Sequence, residues 1–242
     1  NMKFIRKLFI ALVLIIIIIF SILFLIGHSY YSKALKEKPL ITRVDEITNQ
    51  DNFVKFEDMS SYYRNAVISV EDHRFYDHGP VDFIAIARAT FTNVKNGQLQ
   101  EGGSTITQQV AKNIFYIYEE NPVVRKIAEI LTAFDLEKAY TKNEIVELYV
   151  NTIYFGDGYY GIEEACQGYL NKSASEMTLV DCTMMAGIPN APSVYAPTAN
   201  PDLTRSRQEK VISSMVENGY LPEEDANKLI DSLNTYYEQF EE

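Results

Sequence analysis

The sequence predicts a mainly α-helical domain behind one N-terminal membrane-spanning helix, and three observations carry that prediction. Leu8 to Ile26 is apolar throughout except for Ser21, and a run of about 20 such residues crosses a bilayer as a helix. Downstream, apolar residues recur at helical spacing in segment after segment, most of them opened by Ser, Thr, Asp or Asn. No alternating run rivals these helices, and no internal repeat is found.

Taken in order, residues 1–7 form a short basic N-terminus with Lys3, Arg6 and Lys7, and residues 8–28 form the span. The basic flank keeps the N-terminus cytoplasmic and sends the bulk of the chain outside; Lys33, Lys36 and Lys38 on the far side pull against that. A cleaved signal peptide is the competing reading. The long apolar run and the poor cleavage site at Gly27-His28-Ser29-Tyr30-Tyr31 favour an uncleaved signal anchor. Residues 29–58 are polar and mixed, with Pro39 and a β-like run from Leu40 to Val44, and read as a stalk. The remaining segment, 59–242, is the folded domain.

Within it, Ala66, Val67 and Val70 follow a Ser60/Ser61 start and predict a helix ending near Glu71. Asp82 caps a second helix that Asn96-Gly97 ends. Thr105 and Gln108 have capping-box spacing, Asn121-Pro122 opens a helix to about Tyr140, and Thr141 with Glu144 opens another to about Asn151. A glycine- and aromatic-rich loop spans Tyr154 to Gly161. Helices follow near Ile162–Leu170 and Glu176–Ala186. Four prolines, Pro189, Pro192, Pro197 and Pro201, imply an extended segment before the closing helices near Leu203–Asn218 and Pro222–Tyr236.

The formal net charge is −11, and the tail from Glu217 to Glu242 holds eight acids against Lys228 alone. No basic run follows the N-terminus, which argues against a nucleic-acid partner. Cys166 and Cys182 read as two buried free thiols, and no C-x-x-C or H-E-x-x-H spacing offers a metal site.

Three clusters carry candidate chemistry. Val70 to Pro80 sets Glu71 and Asp72 beside Phe75, Tyr76, His73 and His78 at a helix end, where burial can raise a carboxylate into the range of a general base; a solvated acidic turn is the alternative. Gly102-Gly103 precedes Ser104, Thr105, Thr107, Gln108, Gln109, Lys112 and Asn113. Free N–H groups, hydroxyls and a lysine there would suit an anion, and the glutamine amides a sugar; an ordinary capped helix explains them equally. Arg125, Lys126 and Glu129 share one helix face, either as a surface ion pair or as a diphosphate clamp.

Together these stretches resemble the peptidoglycan glycosyltransferases of family 51. Glu-Asp-His-Arg-Phe-Tyr-Asp-His at 71–78, Gly-Gly-Ser-Thr-Ile-Thr-Gln-Gln at 102–109 and Arg-Lys-Ile-Ala-Glu at 125–129 look like the first three signature motifs. Lys142 to Asn151 with Ile153 to Gly156 is similar to the fourth, and Ala186 to Pro197 to the fifth. The match runs from about Asn65 to Pro201 in the family's order. It implies a lysozyme-like helical lobe with a smaller, membrane-associated jaw lobe, polymerising lipid II into glycan strands. Glu71 would be the general base and Glu129 the second carboxylate. Lys112, Arg125 and Lys126 would hold the diphosphate. Asp72, Phe75, His78, Ser104, Thr105, Gln108, Gln109 and Asn113 would complete the substrate groove.

The resemblance further implies lipid II, the lipid-linked nascent glycan and the bacterial membrane as partners, with penicillin-binding transpeptidases as candidate protein partners. It requires no cofactor and leaves a place for a divalent cation, Mg or Mn. With no S-x-x-K or K-T-G, the sequence resembles the monofunctional type. Two departures stand out: the first motif ends His78-Gly79-Pro80, and Tyr118 to Pro122 is acidic where relatives carry a further arginine. A lysozyme-like glycan-cleaving enzyme and a catalytically silent membrane-anchored scaffold are the rival readings. The clustered cations count against the first, and intact Glu71 and Glu129 against the second.

Overall fold

The computed structural model describes residues 2–97, 102–117 and 120–240. Among the described residues there are twelve α-helices, and the only β-pairing is an isolated bridge between Tyr154 and Tyr160. The mainly α fold is as the sequence predicts.

α1 (Met2–Glu37) is apolar and fully exposed along its N-terminal part, long enough to cross a membrane. It does not stop where the apolar run ends but continues over 29–37 and docks on α6 (Pro122–Ala139). The expected stalk with a β-like run is corrected here. Pro39 breaks the helix for two residues, and α2 (Leu40–Thr48) begins at once. Leu40, Val44 and Ile47 lie at i, i+4 and i+7, a helical period that wins over the β-branched composition. Val44 and Ile47 are buried in the core. The following segment is tied down by Asn151, whose side chain accepts from Val54 N and donates to Val54 O, both at 2.8 Å. Glu147 Oε1 accepts from Phe56 N at 2.6 Å.

The centre of the body is a helical trio: α3 (Ser61–Glu71), α9 (Leu179–Gly187) and α11 (Pro201–Glu217) pack on one another. Tyr63, Val67, Met184, Met185, Val211 and Ile212 fill the space between them. α5 (Ile106–Ala111) and α7 (Lys142–Thr152) pack on each other, with α6 also against α5. α8 (Ile162–Leu170) and α12 (Glu223–Tyr237) close the flanks. The predicted caps form: Asp82 accepts from Ile84 N and Ala85 N, Asn121 from Val123 N and Val124 N, and Thr141 with Glu144 makes a full capping box. The proline-rich segment is not extended. It coils into a 3₁₀ turn, Ile188–Asn190, and a one-turn helix α10 (Pro192–Tyr195), each with proline at its permitted first positions. Cys166 and Cys182 are free and buried.

One element stands apart. α4 (Phe83–Asn96) leaves Phe83, Ile84, Phe91 and Val94 exposed, and Gly97 ends it in the left-handed conformation at φ 64°.

Candidate active site

Glu71 is the last residue of α3, and the trio packing holds it against α11. Its side chain is 11% exposed. Oε2 accepts from Gln109 Nε2 at 2.9 Å, while Oε1 has no hydrogen-bond partner. Burial pushes the Glu71 carboxyl above its ordinary value. The Gln109 bond and the Arg207 guanidinium, 3.9 Å from Oε1, oppose that without cancelling it. The hydroxyls of Tyr63 and Tyr149, fully buried and likewise unpartnered, lie within electrostatic reach of the same carboxylate.

A cavity of about 500 Å³ opens over Glu71, with Arg88, Ser104, Asn190, Arg207 and Lys210 in its walls. A second, of about 190 Å³, is lined by Ser104, Gln108, Gln109, Lys112, Lys126 and Glu129. Ser104 belongs to both, and Gln109 reaches from the second to Glu71, so the two are neighbouring halves of one polar cleft. Glu129 is buried beneath its cations: Arg125 Nε is 3.3 Å from Oε1 and Lys126 Nζ 3.1 Å from Oε2. Lys126 Nζ also donates to Ser104 Oγ at 2.8 Å, linking α6 to the loop before α5.

That cleft sets cations beside a carboxylate of raised basicity. The family model described as Transglycosylase matches residues 37–216. The chain belongs to the transglycosylase family. It is 42% identical over 188 residues to penicillin-binding protein 1A of Neisseria flavescens, covering 78% of this chain and 23% of that protein. Penicillin-binding protein 1F of Bacillus subtilis is 35% identical, covering 91% of this chain and 33% of that one. The chain therefore spans a quarter to a third of the length of these curated relatives. A solved penicillin-binding protein 1A from Haemophilus influenzae aligns over 37% of this chain and 13% of that one, at 36% identity and TM-score 0.36.

The transglycosylase motifs divide into residues that face the cleft and residues that build it. Glu71, Ser104, Gln109, Lys112, Lys126 and Glu129 come together at its walls, with Arg125 on the Glu129 carboxylate. Phe75 does not: it is completely buried, packed edge-on to Tyr76 and His78 with the Lys142 ammonium over its ring. Asp72 lines the first cavity, but both its oxygens are taken, Oδ1 by His78 Nε2 at 2.7 Å and Oδ2 by Ile106 N at 3.1 Å. His78, with Nδ1 2.5 Å from Gly79 O, serves the loop. Thr105 Oγ1 donates to Pro80 O and accepts from Gln108 N, and Gln108 Nε2 turns to the same Pro80 carbonyl, so only half of a capping box forms.

The expected row of free N–H groups and hydroxyls at the start of α5 is thus largely consumed inside the protein. Thr107 Oγ1 donates to Glu137, and Ser104 alone keeps its hydroxyl in the cleft. Asn113 lies in the π-helical turn Lys112–Tyr116 and lines a different cavity, with Arg43, Asn52 and Asn151. The departure at Gly79-Pro80 gains a role: the Pro80 carbonyl receives both bonds from the second motif and staples it to the first. The acidic stretch before Arg125 begins at Tyr118 and Glu119, which lie outside the described residues.

Sequence reasoning missed Arg207 and Lys210. They sit three residues apart on α11 and face the first cavity, but a mainly polar helix far along the chain carries no local sign of that. The one cluster of three candidate metal donors among the described residues, Asp72, His78 and Asp82, does not fit a metal ion. Asp82 Oδ1 caps α4 and Oδ2 pairs with Arg74, and the other two residues are bonded as above.

Proposed function

We propose that this chain polymerises lipid II, as an inverting glycosyltransferase acting at the outer face of the bacterial membrane. The observation that carries the reading is Glu71: a buried carboxylate of raised basicity, with no hydrogen bond on Oε1, in the wall of a cleft that also gathers Arg88, Arg207, Lys210, Lys112 and Lys126.

The acceptor's 4-hydroxyl oxygen attacks C1 of the donor's terminal sugar and gives its proton to Glu71. The bond from C1 to the diphosphate oxygen breaks, and undecaprenyl diphosphate leaves with the electron pair. Attack from the face opposite the leaving group turns α into β. A base between about pH 6 and 7 is well matched to such a proton transfer, and burial moves Glu71 in that direction. Diphosphate needs its developing charge met, not a proton, so Lys112, Arg125 and Lys126 replace the general acid that a glycosidase must supply. Glu129 holds Arg125 and Lys126 in place. This asymmetry of one base and several cations favours transfer over glycan cleavage. A divalent cation arriving on the diphosphate is part of the substrate on this reading.

Both substrates are lipid-linked, so α1 confines enzyme and substrate to one surface and raises their effective concentration. Lys3, Arg6 and Lys7 would stay in the cytoplasm and the helical body outside. The test is Glu71→Gln in a lipid II polymerisation assay. Removing a general base costs about 10²–10⁴-fold, with the fold and lipid II binding kept. Residual synthesis above a tenth of wild type would take Glu71 out of the base role.

A further inference from the structure

The most extensive packing between α1 and the body falls on α6, the helix that carries Arg125, Lys126 and Glu129. Gly27 is buried there, and a Cβ at that position would lie 2.6 Å from Ile127 Cβ and Cγ2, atoms close to the α6 backbone with no freedom to swing away. One turn on, Tyr31 Oη donates to Asp135 Oδ2, eight residues beyond Ile127 on α6. Its neighbour Tyr30 packs its ring, tilted, against that of Tyr116 at a centroid distance of 5.5 Å; Tyr116 is the last residue of the π-helical turn that begins at Lys112. Tyr116 is completely buried and shares a 2.7 Å hydrogen bond with Thr132 of α6. Three contacts of different kinds thus grip both segments that supply cations to the cleft.

We infer that the membrane helix is a positioning element of the site: the seam Gly27–Tyr30–Tyr31 holds α6 and the Lys112–Tyr116 turn in the register that converges Lys112, Arg125 and Lys126 on one diphosphate. Glycine at 27 lets two helices approach closely where a bulky side chain would hold them apart. Tyrosines just past an apolar run sit at the membrane–water interface, so the seam also fixes the height of the clamp above the bilayer, where a lipid-linked diphosphate emerges. Displacing such a site by about 1 Å costs on the order of 10²-fold. The inference rests on the reading of the cleft as a diphosphate-transfer site.

The test uses the full chain in lipid nanodiscs, with lipid II as substrate and amide hydrogen exchange over 122–139 as a readout independent of activity. Gly27→Leu should raise KM about tenfold or more and speed exchange in α6 by about tenfold. Gly27→Leu combined with Ile127→Ala, which reopens the space, should recover most of both. Tyr31→Phe, which removes only the hydroxyl on Asp135, is the milder arm and should move both in the same direction. A passive tether predicts KM and exchange unchanged in every variant, and a folding defect predicts lower kcat at unchanged KM; either result overturns the inference. If the wild-type chain makes no glycan, the functional reading fails, while α6 exchange in the same variants still decides whether the seam exists.

Discussion

Asp72 stands next to the proposed base and inside a signature motif, yet its geometry is that of a bracket. Replacing it with alanine strips His78 Nε2 of its 2.7 Å partner and leaves the Ile106 N–H, at 3.1 Å, without an acceptor in a buried setting. A hydrogen bond to a charged group is worth about 1.5–3 kcal/mol, and an orphaned buried donor costs about 1–3 kcal/mol. Asp72→Ala should therefore destabilise the chain by about 3–5 kcal/mol. At about 2–4 °C per kcal/mol for a domain of this size, that is a fall of roughly 6–20 °C in Tm. Asp72→Asn behaves differently. Its Oδ1 can still accept from Ile106 N, and its Nδ2 can donate to His78 Nε2 in the neutral tautomer whose Nδ1–H donates to Gly79 O. Its cost should stay near 1 kcal/mol. The assay is thermal unfolding by circular dichroism in detergent, paired with lipid II kinetics per folded molecule. If Asp72→Ala melts within about 2 °C of wild type while KM for lipid II climbs, Asp72 works on substrate and the bracket argument is wrong.

Two more predictions follow from Glu71. Its carboxyl is raised in the folded state by burial, so its stabilising contribution is present below the unfolded value near 4.5 and is lost as pH rises through the folded value. Glu71→Gln should accordingly melt higher than wild type at pH 7, with the difference closing below about pH 4; a variant less stable than wild type at pH 7 would contradict a buried, ionised carboxylate. Arg207 is one of the influences holding that carboxyl down. Arg207→Gln should move the acid limb of kcat/KM to higher pH and Arg207→Lys should leave it close to wild type, and a limb that stays put in both would remove Arg207 from the electrostatics of the base.

What the sequence disclosed depended on how local the determinant was. Asp82, Asn121 and Thr141 announce their helices because a cap bonds to backbone two or three residues away. Glu71, Lys112 and Glu129 were legible through motif resemblance, which preserves spacing. Orientation was not legible. Thr105 and Thr107 look like ligands but turn inward, because Pro80 and Glu137, distant in sequence, offer them partners. Asn113 leaves the cleft at a π-helical turn, where one extra residue per turn changes which face a side chain occupies. Arg207 is placed by α11 packing on α3, a purely tertiary event. The α2 misreading is different in kind: its helical period was present in Leu40, Val44 and Ile47, and β-branched composition obscured it.

The charge distribution makes the seam between α1 and α6 more than a convenience. A chain of net charge −11 is repelled by an anionic leaflet and, at long range, by a diphosphate as well. Attachment must then come from apolar surface: the exposed run of α1 and the bare face of α4, with Phe83, Ile84, Phe91 and Val94. Five cations line the cleft, Arg88, Arg207 and Lys210 on one side of Ser104 and Lys112 and Lys126 on the other, with Asp72, Asp82, Glu217 and Glu129 among them. Low-dielectric walls focus the field of these cations, and salt limits its reach to a screening length of about 10 Å. Attraction therefore begins only once the diphosphate is already at the cleft mouth. On the proposed function, a site of such short reach depends on being carried to its substrate at the right height, which a helix docked on the clamp would do and a flexible tether would not.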